Sequence, residues 1–149
     1  MAKINKLNIF LSDLAVLNIK IHNVHWNLIG ENFLPLHHMT EKLYQMLQLH
    51  FDETAEALKM QGEMPLASMA DYLKYANIQE ADSCPVNTME ALQILAADCD
   101  TLMQTAKDIR DEADEKDNFL IANLLEDYLA LYAKHSWMIK AMLAEQNND

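Results

Sequence analysis

Residues 62–86 read GEMPLASMADYLKYANIQEADSCPV, and this stretch decides the fold. It is the one long break between apolar-periodic segments. A structureless loop of that length is uncommon inside a compact domain. Within it, Ser68 to Tyr75 reads as a short helix with Ser68 as its own N-cap. The connection is therefore a crossover that carries a helix of its own, and the segments on either side must form two separate pairs.

Upstream, Leu7, Phe10, Leu14, Leu17, Ile21, Val24 and Leu28 step by three or four, which is an apolar helix stripe. A first helix is expected over about 4–29, with Gly30 at its C′ position. Pro35 then opens a second helix, where a first-turn proline is tolerated. Its stripe runs through Leu36, Met39, Leu43, Met46, Leu47, Phe51, Ala55 and Leu58, and Gly62 and Pro65 close it, so it spans about 35–61. Downstream, Asn87 with Glu90 is a capping-box-like start for a third helix over about 88–113. Its stripe is Met89, Leu92, Leu95, Cys99, Leu102, Ala106, Ile109 and Ala113. An acidic turn leads to a fourth helix over about 118–145, with Phe119, Ala122, Leu125, Leu129, Tyr132, Ser136, Ile139 and Leu143 turned inward. Short connections make each pair an antiparallel hairpin. The expected fold is an all-α four-helix bundle in a single domain over 1–149, with one long crossover.

Composition agrees. The chain has 149 residues, 51% of them apolar, with only two glycines and three prolines. An all-β fold needs far more turn residues. No run approaches the length of a membrane span, and the first residues lack the apolar run of a signal peptide. Cys84 and Cys99 match no zinc or redox spacing and read as buried or half-buried free thiols, which points to the reducing cytoplasm. The formal net charge of −12 opposes nucleic-acid phosphates and concentrates cations, and it also serves solubility alone.

Five residues could carry metal chemistry: His25, His37, Glu41, Asp52 and Glu56. On the second helix, positions 37, 41, 52 and 56 fall at about 0°, 40°, 60° and 100°, on one face. Yet 41 and 52 lie about 16 Å apart along the axis, and 37 and 56 about 28 Å. One helix cannot close both pairs on one ion. The spacing is symmetric about a point between Met46 and Leu47, so an antiparallel twin would set His37 against Glu56 and Glu41 against Asp52. A two-fold dimer of this kind contains two equivalent sites. Two imidazoles with three carboxylates suit Fe(II), Mn(II) or Zn(II). Taken singly, each residue also fits an ordinary packed histidine or a solvated acid.

The run HNVHWNLIGENFLPLH from His22 to His37 resembles the signature of Dps-type mini-ferritins, within the ferritin-like superfamily. Asp52 to Glu56 looks like that family's second metal motif, and Lys134 to Met138 is similar to its last-helix signature. The resemblance covers nearly the whole chain. It implies a ferritin-like bundle assembled as a hollow dodecamer. It also implies ferroxidase ligands at His25, His37 and Glu41 of one subunit and Asp52 and Glu56 of its dimer mate. The implied activity is oxidation of Fe(II) by hydrogen peroxide, or more slowly dioxygen, with storage of ferric oxyhydroxide and protection from oxidative stress. Zinc or manganese could substitute at the site. Trp26 matches a family tryptophan that intercepts stray oxidising equivalents, and it fits a packing or dimer contact equally well. His22 matches a family histidine and is expected to make a structural hydrogen bond.

Two departures matter. Position 41 is Glu where several members carry Asp, which leaves room for a shell that sequesters metal or associates with DNA with little ferroxidase activity. Asn123 stands where many members place an acid at a three-fold pore, leaving Asp114, Asp117, Glu126 and Asp127 as nearby candidates. The family's DNA-binding members use Lys-rich tails. Only Lys3 and Lys6 stand near the start here and the chain ends Asn-Asn-Asp149, so direct DNA binding is disfavoured. Larger ferritins carry Glu-x-x-His pairs within one bundle, and this chain has none.

Overall fold

The computed structural model describes residues 4–146. Five helices and a two-residue sheet make up the chain: α1 (Lys6–Asn27), β1 (Leu28–Ile29), α2 (Phe33–Met60), α3 (Met69–Tyr75), β2 (Val86–Asn87), α4 (Thr88–Glu115) and α5 (Phe119–Gln146). Helix α1 packs on α2 and α4 on α5, and the hairpins join through α1 with α4 and α2 with α5. This is the expected all-α bundle with a crossover helix.

The helix ends follow their sequence signals. The Asn87 side chain caps α4 by accepting from the Glu90 N–H, and Ser68 caps α3 by accepting from the Asp71 N–H. Gly62, at φ 76°, closes α2 in a Schellman arrangement: its N–H donates to the Lys59 carbonyl at 3.0 Å, and that of Glu63 to Leu58 at 2.9 Å. Asp117 does the same for α4 at φ 53°, with Asn118 donating to the Ala113 carbonyl at 2.8 Å.

Four expectations need correction. Helix α1 stops at Asn27 because Leu28 and Ile29 leave it to pair, in parallel, with Val86 and Asn87. Gly30, at φ 100°, therefore lies beyond β1 and does not cap the helix. Phe119 is 70% exposed, since the first turn of α5 overhangs the bundle, and Ile121 and Tyr128 fill the inward positions. Cys84 is exposed in the crossover, while Cys99 is half-buried and burial pushes its thiol up to about 11. Smaller differences are the start of α2 at Phe33, ahead of Pro35, and the end of α4 at Glu115. Among the described residues, no helix is long and apolar enough to cross a membrane.

Polar groups inside the bundle fix its register. The fully buried Asp13 accepts the Asn77 N–H at 2.6 Å and the Ile78 N–H at 2.9 Å, which docks the crossover onto α1. Lys20 and Asp98 pair at 2.7 Å between α1 and α4.

His50 is 2% exposed, stacks on Tyr128 at 3.8 Å, and shares a hydrogen bond between its Nδ1 and the Tyr132 hydroxyl over 2.7 Å. Burial, aided by His135, pushes its pKa down to about 4 from 6.5. An unfolded chain takes up a proton at His50 below about pH 6.5 that the folded chain resists until about pH 4. His50 thus stabilises the fold above 6.5, and that contribution is lost as pH falls through the window, by about 3 kcal/mol. Urea denaturation at fixed subunit concentration, at pH 7 and pH 4.5, is expected to show this loss in the wild type. His50→Gln is expected to show a smaller pH dependence. Equal slopes in the two proteins would remove His50 as the source.

Candidate metal centre

The turn between α1 and α2 brings two of the candidate ligands together. His25 lies in the last turn of α1 and His37 in the second turn of α2, and their rings stack at 3.7 Å with 13° between planes. Each ring hydrogen-bonds the other residue's backbone carbonyl. His25 Nδ1 donates to the His37 carbonyl at 2.8 Å, and His37 Nδ1 donates to the His25 carbonyl at 3.0 Å. A carbonyl oxygen can only accept, so each Nδ1 carries the hydrogen. In a neutral ring so bonded, Nε2 keeps the lone pair with which imidazole binds metal.

His25 is 7% exposed. Burial pulls its pKa below the usual range, opposed by the His37 carbonyl and by the charge of Glu41. It is therefore neutral at physiological pH, as a ligand must be. Glu41 sits half-buried one turn beyond His37. Asp52 and Glu56 are exposed further along α2, about 16 Å or more away along the axis. Among the described residues of one chain, no three His, Cys, Asp or Glu side chains converge as a metal-binding group. The histidine pair and the distal acids stay apart within the subunit.

The pattern of helices matches known proteins. The family model for a ferritin-like domain covers residues 4–147. A DNA protection during starvation protein from Brevibacillus brevis is 36% identical over 137 residues, which is 92% of this chain and 91% of that one. The chain belongs to the Dps family of ferritin-like proteins. Among solved Dps structures, that of Vibrio cholerae O1 superposes with a TM-score of 0.89 at 32% identity, covering 93% of this chain and 87% of the other. It is described as a member of a broad superfamily of ferritin-like diiron-carboxylate proteins. Dps from Listeria innocua, soaked with zinc, gives 0.89 at 29% identity, covering 93% and 94%.

An aromatic ladder leads from the surface of this Dps chain to its histidine pair. Trp26 is 69% exposed and 5.5 Å from the His22 ring. His22 stacks on Tyr44 at 3.8 Å, and the edge of Tyr44 meets His25 at 5.3 Å. Within its own subunit Trp26 is not packed away. His22 makes the expected structural bond, donating from Nδ1 to the Asn18 carbonyl at 2.7 Å. Tyr44 was not singled out from the sequence. Its signal was position: it lies seven residues after His37, on the same face of α2.

The acids at the α4–α5 turn are partly engaged. Arg110 holds Glu126 at 2.8 Å and reaches Asp114 at 4.0 Å, while Asp117 takes the left-handed backbone at the end of α4. Asn123 and Asp127 are exposed.

Proposed function

We propose that this chain is a single-domain subunit of a cytoplasmic twelve-subunit shell that oxidises Fe(II) and stores the ferric product. Iron is the substrate and the cargo. The observation that carries this reading is the stacked His25–His37 pair, with both Nδ1 atoms bonded to carbonyls and both Nε2 atoms free. Each reaction site would take His25, His37 and Glu41 from one subunit and Asp52 and Glu56 from its two-fold mate. The neutral imidazoles hold Fe(II), and the carboxylates favour the harder Fe(III) product. Zn(II) or Mn(II) would compete for the same donors.

Hydrogen peroxide is the preferred oxidant on this reading, with dioxygen slower. Two Fe(II) ions supply the two electrons that convert one peroxide and two protons to two waters, so no hydroxyl radical is released. Trp26, reached through His22 and Tyr44, would take up any one-electron oxidising equivalent that escapes. Protection of DNA then comes from iron chemistry, since a net charge of −12 per subunit opposes phosphate contact. The relatives' shared name, DNA protection during starvation protein, fits that role.

The test is anaerobic loading of the assembled protein with Fe(II), followed by peroxide or dioxygen. The near-ultraviolet absorbance of the ferric product is recorded and residual peroxide is assayed. Rapid oxidation that consumes one peroxide per two Fe(II) is the expected result. A rate equal to the protein-free control would discard the ferroxidase and leave a metal-sequestering shell, the outcome that the longer arm of Glu41 would explain.

A further inference from the structure

We propose that Thr40 is a positioning residue that holds His25 in the ring orientation needed to present Nε2 to a divalent metal. The inference deepens the metal reading above and rests on it.

Thr40 is fully buried on α2, one turn after His37 and facing α1. Its Oγ1 lies 3.0 Å from His25 Nδ1. It also lies 2.9 Å from the Leu36 carbonyl and 3.0 Å from the His37 carbonyl. A hydroxyl has one hydrogen, and here a carbonyl of its own helix takes it. Toward His25 the hydroxyl can then only accept. His25 Nδ1 thus faces two acceptors, the Thr40 hydroxyl and the His37 carbonyl at 2.8 Å, and nothing that could donate to it. His37 differs: its Nδ1 has a single bond, to the His25 carbonyl at 3.0 Å.

A single acceptor leaves a ring free to pivot about one bond. Two acceptors on different atoms fix its plane as well. The bond from Thr40 to a carbonyl of its own helix, Leu36 or His37, holds the hydroxyl oxygen in place toward His25. Groups that hold a metal-ligating histidine in this way are worth about 10–100-fold in metal affinity.

Two measurements on the full-length assembly test this. The first is Co(II) titration of wild type, Thr40→Val and Thr40→Ser by calorimetry and ligand-field absorption. Valine keeps the branched shape but loses the hydroxyl, and is expected to weaken Co(II) binding about tenfold or more and to alter the absorption. Serine restores the hydroxyl and is expected to return affinity to within about twofold of wild type. The second is magic-angle-spinning NMR of metal-free protein labelled with ¹⁵N-histidine, with His25→Asn to assign the signal. The His25 Nδ1–H signal is expected to be single and sharp in wild type and Ser, and shifted and broadened in Val, where one of its two acceptors is gone. A folded Thr40→Val protein whose His25 Nδ1–H signal is unchanged overturns the proposal, as does unchanged affinity. If the wild type itself binds no Co(II), the iron reading fails at that step, and the His25 Nδ1–H spectrum still decides the role of Thr40.

Discussion

Mixing subunits that carry His37→Ala with subunits that carry Asp52→Ala is expected to restore about a quarter of wild-type Fe(II) oxidation, although each variant alone is nearly inactive. Loss of one ligand is expected to slow the peroxide reaction on the order of 100-fold, at or beyond what loss of a group supporting a ligand costs. In a two-fold dimer, each site draws its histidines from one subunit and its distal acids from the other. A mixed dimer gathers both lesions into one site and leaves the second intact. Random pairing at equal amounts makes about half the dimers mixed, each with one working site of two, hence about a quarter overall. A site built within one subunit would recover nothing. The measurement is peroxide-driven oxidation by co-assembled shells, with mixed dimers counted by native mass spectrometry. No recovery in shells shown to contain them would sink the shared site.

Replacing Asp13 by alanine is expected to cost the fold roughly 2–4 kcal/mol, because it strands the buried Ile78 N–H at about 1–3 kcal/mol and the part-buried Asn77 N–H at about 1 kcal/mol. The Asn77 and Ile78 N–H groups have the Asp13 carboxylate as their partner, deep between α1 and the crossover. Asp13→Asn keeps an acceptor oxygen at the same place. Burial holds the Asp13 carboxyl above its usual range, so the neutral amide also spares the core a charge that it resists. The asparagine variant is therefore expected to keep most of the stability that alanine loses. Urea denaturation at neutral pH and fixed subunit concentration reads both, and equal losses in the two variants would show that the hydrogen bonds are not the cause.

The long helices were legible because their inward positions are apolar at helical spacing, and all seven residues of the first stripe, from Leu7 to Leu28, are buried. The caps at Ser68 and Asn87 were legible because a side-chain oxygen three residues ahead of an N–H has few other uses. Legibility failed where polar residues do inward work. Asn8, Ser12, Asp13, His50 and Thr40 are all buried, and their partners lie up to 82 residues away in the chain. Nothing in a local pattern marks such pairings. The β1–β2 bridge was invisible for the same reason, since two residues on each side give no alternation to read. Phe119 misled because a helix's first turn can extend beyond the core it joins. At the candidate centre, His25 and His37 were legible from spacing and resemblance, but their ring-to-carbonyl bonds required the turn's geometry. Thr40 has no partner within its own sequence pattern that marks it as facing His25.

The crossover separates the two hairpins in time as well as in space. All five candidate ligands, and the exposed face of α2 that would meet a second subunit, lie between positions 25 and 56. Synthesis runs from the N-terminus, and the first hairpin leaves the ribosome before α4 and α5 exist. The chemically committed half of the molecule therefore waits, with its inner face uncovered, for the half that only completes the bundle. Asp13 has to hold its place on α1 until Asn77 and Ile78 arrive. That anchor lies upstream of α4, so it can be set before the second hairpin is made.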